Sequence, residues 1–195
     1  FFAFPSTYYA NINKLGKIDN LSSVTKEVKL MLDPNADPFA NTESTENVSI
    51  ALFGARDATD LNWVQLLNSY SCTECGRCSS VCPANQTGKL LSPRKVMMDT
   101  RDRIEDIGNN KNEDKFLLGD YISNEELWAC TTCNACTDAC PINLDPMSII
   151  VDLRRYLVME QSSAPTELNN MFSNIENNGA PWQFPAADRL KWIEE

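Results

Sequence analysis

The sequence predicts a mainly α-helical fold with an extended N-terminal arm. Three observations carry that reading. Helix-start signals of the cap-plus-Pro and capping-box kind recur along the chain, each followed by apolar residues at helical spacing. Strand patterns are weak throughout, and only 7 of 195 residues are glycine, which disfavours a loop-rich or β-rich fold. The same cysteine run also occurs twice, each time between two helical patterns, so a whole helix–loop–helix unit is duplicated.

Residues 1–58 read as an arm and linker. Phe1, Phe2, Phe4, Tyr8 and Tyr9 precede Lys14 and Lys17, a composition that suits a membrane interface or a surface arm. Ser22 or Ser23 is placed to cap a short helix carrying Val24, Val28 and Met31 or Leu32, stopped by Asp33-Pro34. Residues 33–47 have the turn formers of a linker, and Asn47 to Phe53 reads as a short strand or extended stretch.

Residues 59–161 form the expected domain. Thr59 or Asp60 is expected to cap a helix through Leu61, Val64, Leu67 and Asn68, ending at the first cysteine run. Ser92-Pro93 caps a second helix, with Met97, Thr100, Ile104 and Ile107 on one face and Gly108 at its end. Ser123 to Glu126 fits a capping box that opens a short helix into Cys130. Asp145-Pro146 repeats the cap-plus-Pro signal, and Ile149, Ile150, Leu153 and Leu157 form the buried stripe that follows. Residues 162–195 read as a helical extension, with helices over 166–177, ending at Asn178-Gly179, and over 186–194 after Pro185.

Composition removes several classes of function. Lys and Arg number 17 against 27 Asp and Glu, a net charge of −10 that argues against nucleic acid as a partner. The chain has no histidine, so His-based acid–base catalysis and His-ligated zinc, haem or Rieske centres are out of reach. No G-x-G-x-x-G, no P-loop and no catalytic base or nucleophile stands out, so substrate chemistry is expected on another domain or subunit.

The eight cysteines carry the chemistry. Cys72, Cys75, Cys78 and Cys82-Pro83 form the first run, and Cys130, Cys133, Cys136 and Cys140-Pro141 the second, starting 58 residues later. Both obey C-x2-C-x2-C-x3-C-P. Three cysteines at this spacing let a tight loop wrap three corners of a [4Fe–4S] cube, with backbone N–H groups turned toward its sulfurs. The fourth, followed by Pro, leaves the loop in a new direction, and in two-cluster proteins it ligates the other cube. Cluster one is therefore expected on Cys72, Cys75, Cys78 and Cys140, and cluster two on Cys130, Cys133, Cys136 and Cys82. Each Cys-Pro is expected to start a helix directed toward the partner cube.

Other cysteine chemistries fit less well. Disulfide frameworks spread cysteines to close loops, zinc sites pair C-x2-C knuckles across a longer loop, and redox C-x2-C motifs come singly. Thr73, Thr131 and Thr132 offer hydroxyls near the cubes, and Val81, Ile142 and Leu144 offer apolar cover. Arg77 is a cation in the first loop where the second has Ala135. A cation there would make its cluster easier to reduce.

The two runs, their separation and the helices between them resemble the α-helical ferredoxin domain. That domain occurs in the heterodisulfide reductase family and in iron–sulfur subunits of anaerobic glycerol-3-phosphate and glycolate dehydrogenases. With modified cysteine runs it also occurs in succinate dehydrogenase and fumarate reductase. The likeness covers about residues 60–160. It implies electron transfer through two [4Fe–4S] clusters within a larger membrane-associated oxidoreductase. The implied redox partner is a flavin-containing dehydrogenase or a subunit of Cys-Cys-Gly type; this chain has no Cys-Cys-Gly module of its own.

In some relatives a membrane-spanning domain precedes the module, and the aromatic start at Phe1 without Met resembles the cut end of such an anchor. The expected location is the cytoplasmic face of the membrane, where thiols stay reduced. The competing reading is a non-redox interaction module whose clusters only staple a helical fold.

Overall fold

A computed structural model describes residues 52–183, together with 25, 28, 29, 31–33, 188, 190 and 193. The expectations for the aromatic start and the linker lie outside these residues, as does most of the helix expected over 186–194. The short helix before Asp33 is present at the described residues, with Val28, Met31 and Leu32 exposed. The chain divides into two compact units, Phe1–Glu160 and Gln161–Glu195.

The first unit is built from helices. A 3₁₀ turn at Ala58–Asp60 precedes α1 (Trp63–Ser71), which runs into the first cysteine loop. One-turn helices α2 (Arg77–Ser80) and α3 (Pro83–Gln86) follow, then the long α4 (Pro93–Gly108). After a loop come α5 (Asn124–Ala129), the one-turn α6 (Ala135–Asp138) and α7 (Pro146–Arg155), which continues into a wide helical turn, Tyr156–Glu160. Among the described residues the only β pairing is an isolated bridge between Leu118 and Ile122.

The α4 and α7 helices pack on each other at the centre, with α1 against both, while α2 lies against α6. The two cysteine loops thus meet across the one-turn helices that end them. Met97 of α4 and Ile149, Ile150 and Leu153 of α7 are fully buried with Leu91, Leu117, Ile122 and Leu127. Each large side chain so buried contributes roughly 1.5–3 kcal/mol relative to exposure.

A buried ion pair ties the segment before α1 to α4. Arg103 donates through two nitrogens to the Asp57 carboxylate at 2.8 and 2.7 Å, and Ala58 and Leu117 N–H groups donate to the same group. Gly54 closes this segment against α7. Its φ is +99°, and a Cβ there would sit 2.5 Å from the Asp152 carbonyl oxygen and closer still to the Tyr156 nitrogen.

The local signals of α4, α5 and α7 hold. Ser92, Ser123 and Asp145 accept from the N–H three residues on, and Ser123 with Glu126 makes a reciprocal capping box. The stripe Ile149, Ile150, Leu153 and Leu157 is buried as expected.

Three expectations change. The cap of α1 is Asn62, boxed with Gln65, rather than Thr59 or Asp60. Its buried face is polar, Gln65, Asn68 and Ser69, because Gln65 donates to Asp152 of α7 at 2.6 Å and Ser69 to the Gln65 carbonyl; Val64 and Leu67 face solvent. The buried face of α4 is Val96, Met97, Thr100 and Arg103, with Ile104 and Ile107 half-exposed, since Arg103 turns inward to Asp57. Gly108 is the last residue of α4, but the left-handed residue that follows is Asn110, at φ 52°.

In the second unit, α8 (Thr166–Asn178) ends at Gly179, whose φ of 64° is the left-handed conformation a helix stop favours. Asn174 of α8 donates to the Pro181 carbonyl at 3.0 Å, folding the chain back after the stop.

Candidate metal centres

Both cysteine loops start the same way. Cys72 ends α1 with φ −67° and ψ 120°, and Cys130 ends α5 with φ −70° and ψ 127°. Both loops then enter the left-handed region at matched positions: Glu74 (58°) and Gly76 (79°) in the first, Thr132 (53°) and Asn134 (64°) in the second. Alternating backbone hands turn consecutive N–H groups to one side, the concave arrangement that holds anionic groups. In the second loop one such group is already engaged, with Thr132 N–H donating to Cys130 Sγ at 3.4 Å.

The loops border two cavities. The first is lined by Cys72, Cys75, Cys78 and Cys140, and the second by Cys82, Cys130 and Cys133, with Cys136 touching both. The chain after each Cys-Pro crosses over with its cysteine. Leu91 and Pro93 line the second cavity, and Leu144 and Pro146 the first. Further along the same helices, Met97 of α4 returns to the first cavity and Ile150 of α7 to the second.

The route differs from the expectation in one respect. Cys82-Pro83 opens only the one-turn α3, and Cys140-Pro141 opens a turn closed by Asn143 donating to the Cys140 carbonyl. The long helices begin later, at Pro93 and Pro146.

All eight cysteines are free thiols; Cys82 and Cys136 are buried, while Cys75 and Cys133 are exposed. Burial pushes Cys136 up to about 12 and raises Cys78 and Cys130, each further raised by neighbouring thiols. Such groups become ligands by releasing their proton to solvent as the metal's positive charge takes its place.

These residues fit a pair of iron–sulfur cubes. Cysteines of both runs line the two cavities, the thiolate donor set that such cubes take. The side chain of Asn134, at the wall of the second cavity, has a buried Oδ1 with no partner among the described residues. With the amide turned over, its NH₂ would offer a donor to an acceptor bound in that cavity.

The surroundings of the two cavities differ. Glu74 sits in the first loop and pairs with Arg101 of α4 at 2.7 Å, and exposed Arg77 and Arg94 stand at the rim. Near the second, Arg154 of α7 donates to the carbonyls of Leu127 and Cys130 and lies 4.9 Å from the Trp128 ring centroid. Burial lowers the Arg154 pKa, and the Cys130 thiolate opposes that shift.

Thr73, Ile142 and Leu144 line the first cavity and Thr131 the second, as expected. Val81 and Thr132 do not: Val81 is 38% exposed on the outer side at the end of α2, and Thr132 is exposed with its hydroxyl donating to the Thr131 carbonyl. Leu91, Met97, Met147 and Ile150 line the cavities without any motif that marks them. The available signal is their place in or just before the helix that follows each Cys-Pro.

Fold and site together define a helical module built to hold two [4Fe–4S] clusters. Residues 68–144 match the 4Fe-4S dicluster domain family. The chain is 32% identical over 179 residues to the probable iron-sulfur-binding oxidoreductase FadF of Bacillus subtilis, covering 73% of this chain and 25% of that protein. It is 29% identical over 170 residues to a probable membrane-anchored ferredoxin of Chromohalobacter salexigens, covering 74% and 25%. To one component of the ferredoxin/F(420)H(2)-dependent CoB-CoM heterodisulfide reductase of Methanosarcina acetivorans it is 35% identical over 100 residues, covering 51% and 52%. The chain thus spans about a quarter of the first two relatives and about half of the third.

Proposed function

We propose that this chain is the electron-wiring part of a larger, membrane-associated oxidoreductase. Cluster one is held by Cys72, Cys75, Cys78 and Cys140, and cluster two by Cys130, Cys133, Cys136 and Cys82. The observation that supports this reading is the lining of the two cavities: the first takes Cys140, together with Cys136, from the second run, and the second takes Cys82 from the first. When bound, each cluster supplies a one-electron carrier. The protein's part is to hold the two close together, bury one side of each and leave Cys75 and Cys133 at the surface where an electron can enter or leave.

A redox partner subunit belongs to the same reading, supported by the relative that is a component of a heterodisulfide reductase. The acidic surface suits a partner with a basic docking patch. Candidate partners are a flavin-containing dehydrogenase or a Cys-Cys-Gly-type subunit. Membrane association is supported by the name of the Chromohalobacter relative; an anchor upstream of Phe1 and a place at the cytoplasmic face belong to the same proposal. Among the described residues no helix is long and apolar enough to cross a membrane. Fractionation of cells making the whole gene product tests this point; the protein should stay with the membranes through a high-salt wash.

Anaerobic reconstitution followed by redox titration tests the wiring role. About eight iron and eight sulfide per chain are expected, with both clusters accepting an electron. Two zinc per chain without sulfide would refute the cluster reading. Clusters that accept no electron at any accessible potential would leave only the non-redox module.

A further inference from the structure

Two arginines hold matching places in the duplicated units. Arg101 follows Pro93 by eight residues in α4, and Arg154 follows Pro146 by eight in α7. Each reaches toward the cysteine loop of its own unit, but they are compensated differently. Arg101 meets the carboxylate of Glu74 at 2.7 Å. The matching position of the second loop is Thr132, and the partners of Arg154 are the Leu127 and Cys130 carbonyls and the face of Trp128.

Arg154 is half-buried, and a guanidinium does not shed its proton in a protein. A partly buried cation without a carboxylate is costly unless another negative charge stands nearby. The two carbonyls lie at the C-terminal end of α5 and offset part of that cost. Cys130, whose backbone carbonyl accepts from Arg154 at 2.6 Å, gives up its proton when it ligates a cluster, and the negative charge then stands beside the guanidinium. Trp128 covers the guanidinium from one side and fixes its position.

We propose that Arg154 is the fixed counter-charge of the second cluster, a positioning residue that raises that cluster's potential. One-electron reduction makes the cluster more negative by one charge without a proton, and a nearby buried cation stabilises that state. Among the described residues the first cluster has no equivalent, because Glu74 neutralises Arg101 and the other arginines at its rim are exposed to solvent screening. The inference rests on the reading that the cavity at Cys130 holds a redox cluster.

The test uses the reconstituted full chain and its Arg154→Gln and Arg154→Lys variants. Each is titrated anaerobically with dithionite and followed by electron paramagnetic resonance, with Cys130→Ala assigning the second cluster's signal. Arg154→Gln should lower the midpoint potential of that cluster and leave the other in place, and Arg154→Lys should stay near the parent. Selective loss of the second cluster in Arg154→Gln, with retention in Arg154→Lys, supports the same assignment. If both variants lose stability or cluster alike, or both bind clusters at unchanged potentials, Arg154 is only a helix cap and the proposal fails. Should the parent clusters accept no electron, the wiring reading fails separately. The counter-charge is then read from iron release to a ferrous chelator, which must be faster from the second site in Arg154→Gln than in Arg154→Lys; equal rates would overturn it.

Discussion

The two cysteine loops are alike where they touch metal and unlike everywhere else. Both begin at a helix end, and both turn left-handed two and four residues after the first cysteine. The first then carries a paired Glu74 and a rim of exposed arginines; the second carries Thr132 and the half-buried Arg154 over Trp128. The connections differ too, since Cys82 is followed by a one-turn helix and a loop before α4, whereas Cys140 is only five residues from the cap of α7. Four thiolates around a cube fix the loop geometry, whereas the surroundings set the potential. Duplication therefore yields two sites of one architecture and two electrostatic characters.

The largest expected effect comes from the residue that belongs to both cavities. Cys136→Ala should reduce iron content to well below half, because its buried thiol borders the first cavity as well as the second. Cys133→Ala, at an exposed position, should cost only one cluster. Iron and sulfide analysis of the two variants side by side checks this, and equal losses would mean the cavities are independent.

Next comes the frame that holds both sites. Asp57→Ala leaves the buried Arg103 unpaired and should destabilise the domain by about 3–5 kcal/mol, measured by denaturant unfolding. Burial alone would raise the Asp57 pKa, but the Arg103 bond and the Ala58 and Leu117 N–H groups outweigh it and hold it below 3.8. Its contribution is fully present above pH 3.8 and is lost as pH falls through the lowered value. Asp57→Asn should therefore flatten the acid limb of the stability profile relative to the parent. Gly54→Ala should also lower the melting temperature, because its Cβ would collide with the backbone of α7 and the turn after it.

The smallest effect separates the two sites electrostatically. Glu74→Gln removes a negative charge beside the first cavity and frees Arg101. The first cluster's potential should rise modestly and the rise should shrink with added salt, while the second cluster stays in place. Redox titration at two ionic strengths measures it.

What is legible in the sequence is local. The Ser123–Glu126 box, the Asp145-Pro146 cap and the stripe of α7 depend on residues three or four positions apart, and each is present. The eight cysteines are legible because metal ligation demands a fixed residue type at a fixed spacing. The face of α1 is not, since its buried side is made polar by Gln65 reaching Asp152, 87 residues away. Arg103 escapes sequence reasoning for the same reason, with its partner Asp57 lying 46 residues upstream. Arg154 carries no motif, and its meaning depends on Thr132 standing where the first loop has Glu74.

The crossing of the fourth cysteines is the central claim, and Cys82→Ala tests it most directly. If Cys82 completes the site built on Cys130, Cys133 and Cys136, the reduced variant should lose the paramagnetic signal that Cys130→Ala loses and keep the other. A spectrum that instead matches Cys72→Ala would mean that each run holds its own cube, contradicting the crossed arrangement.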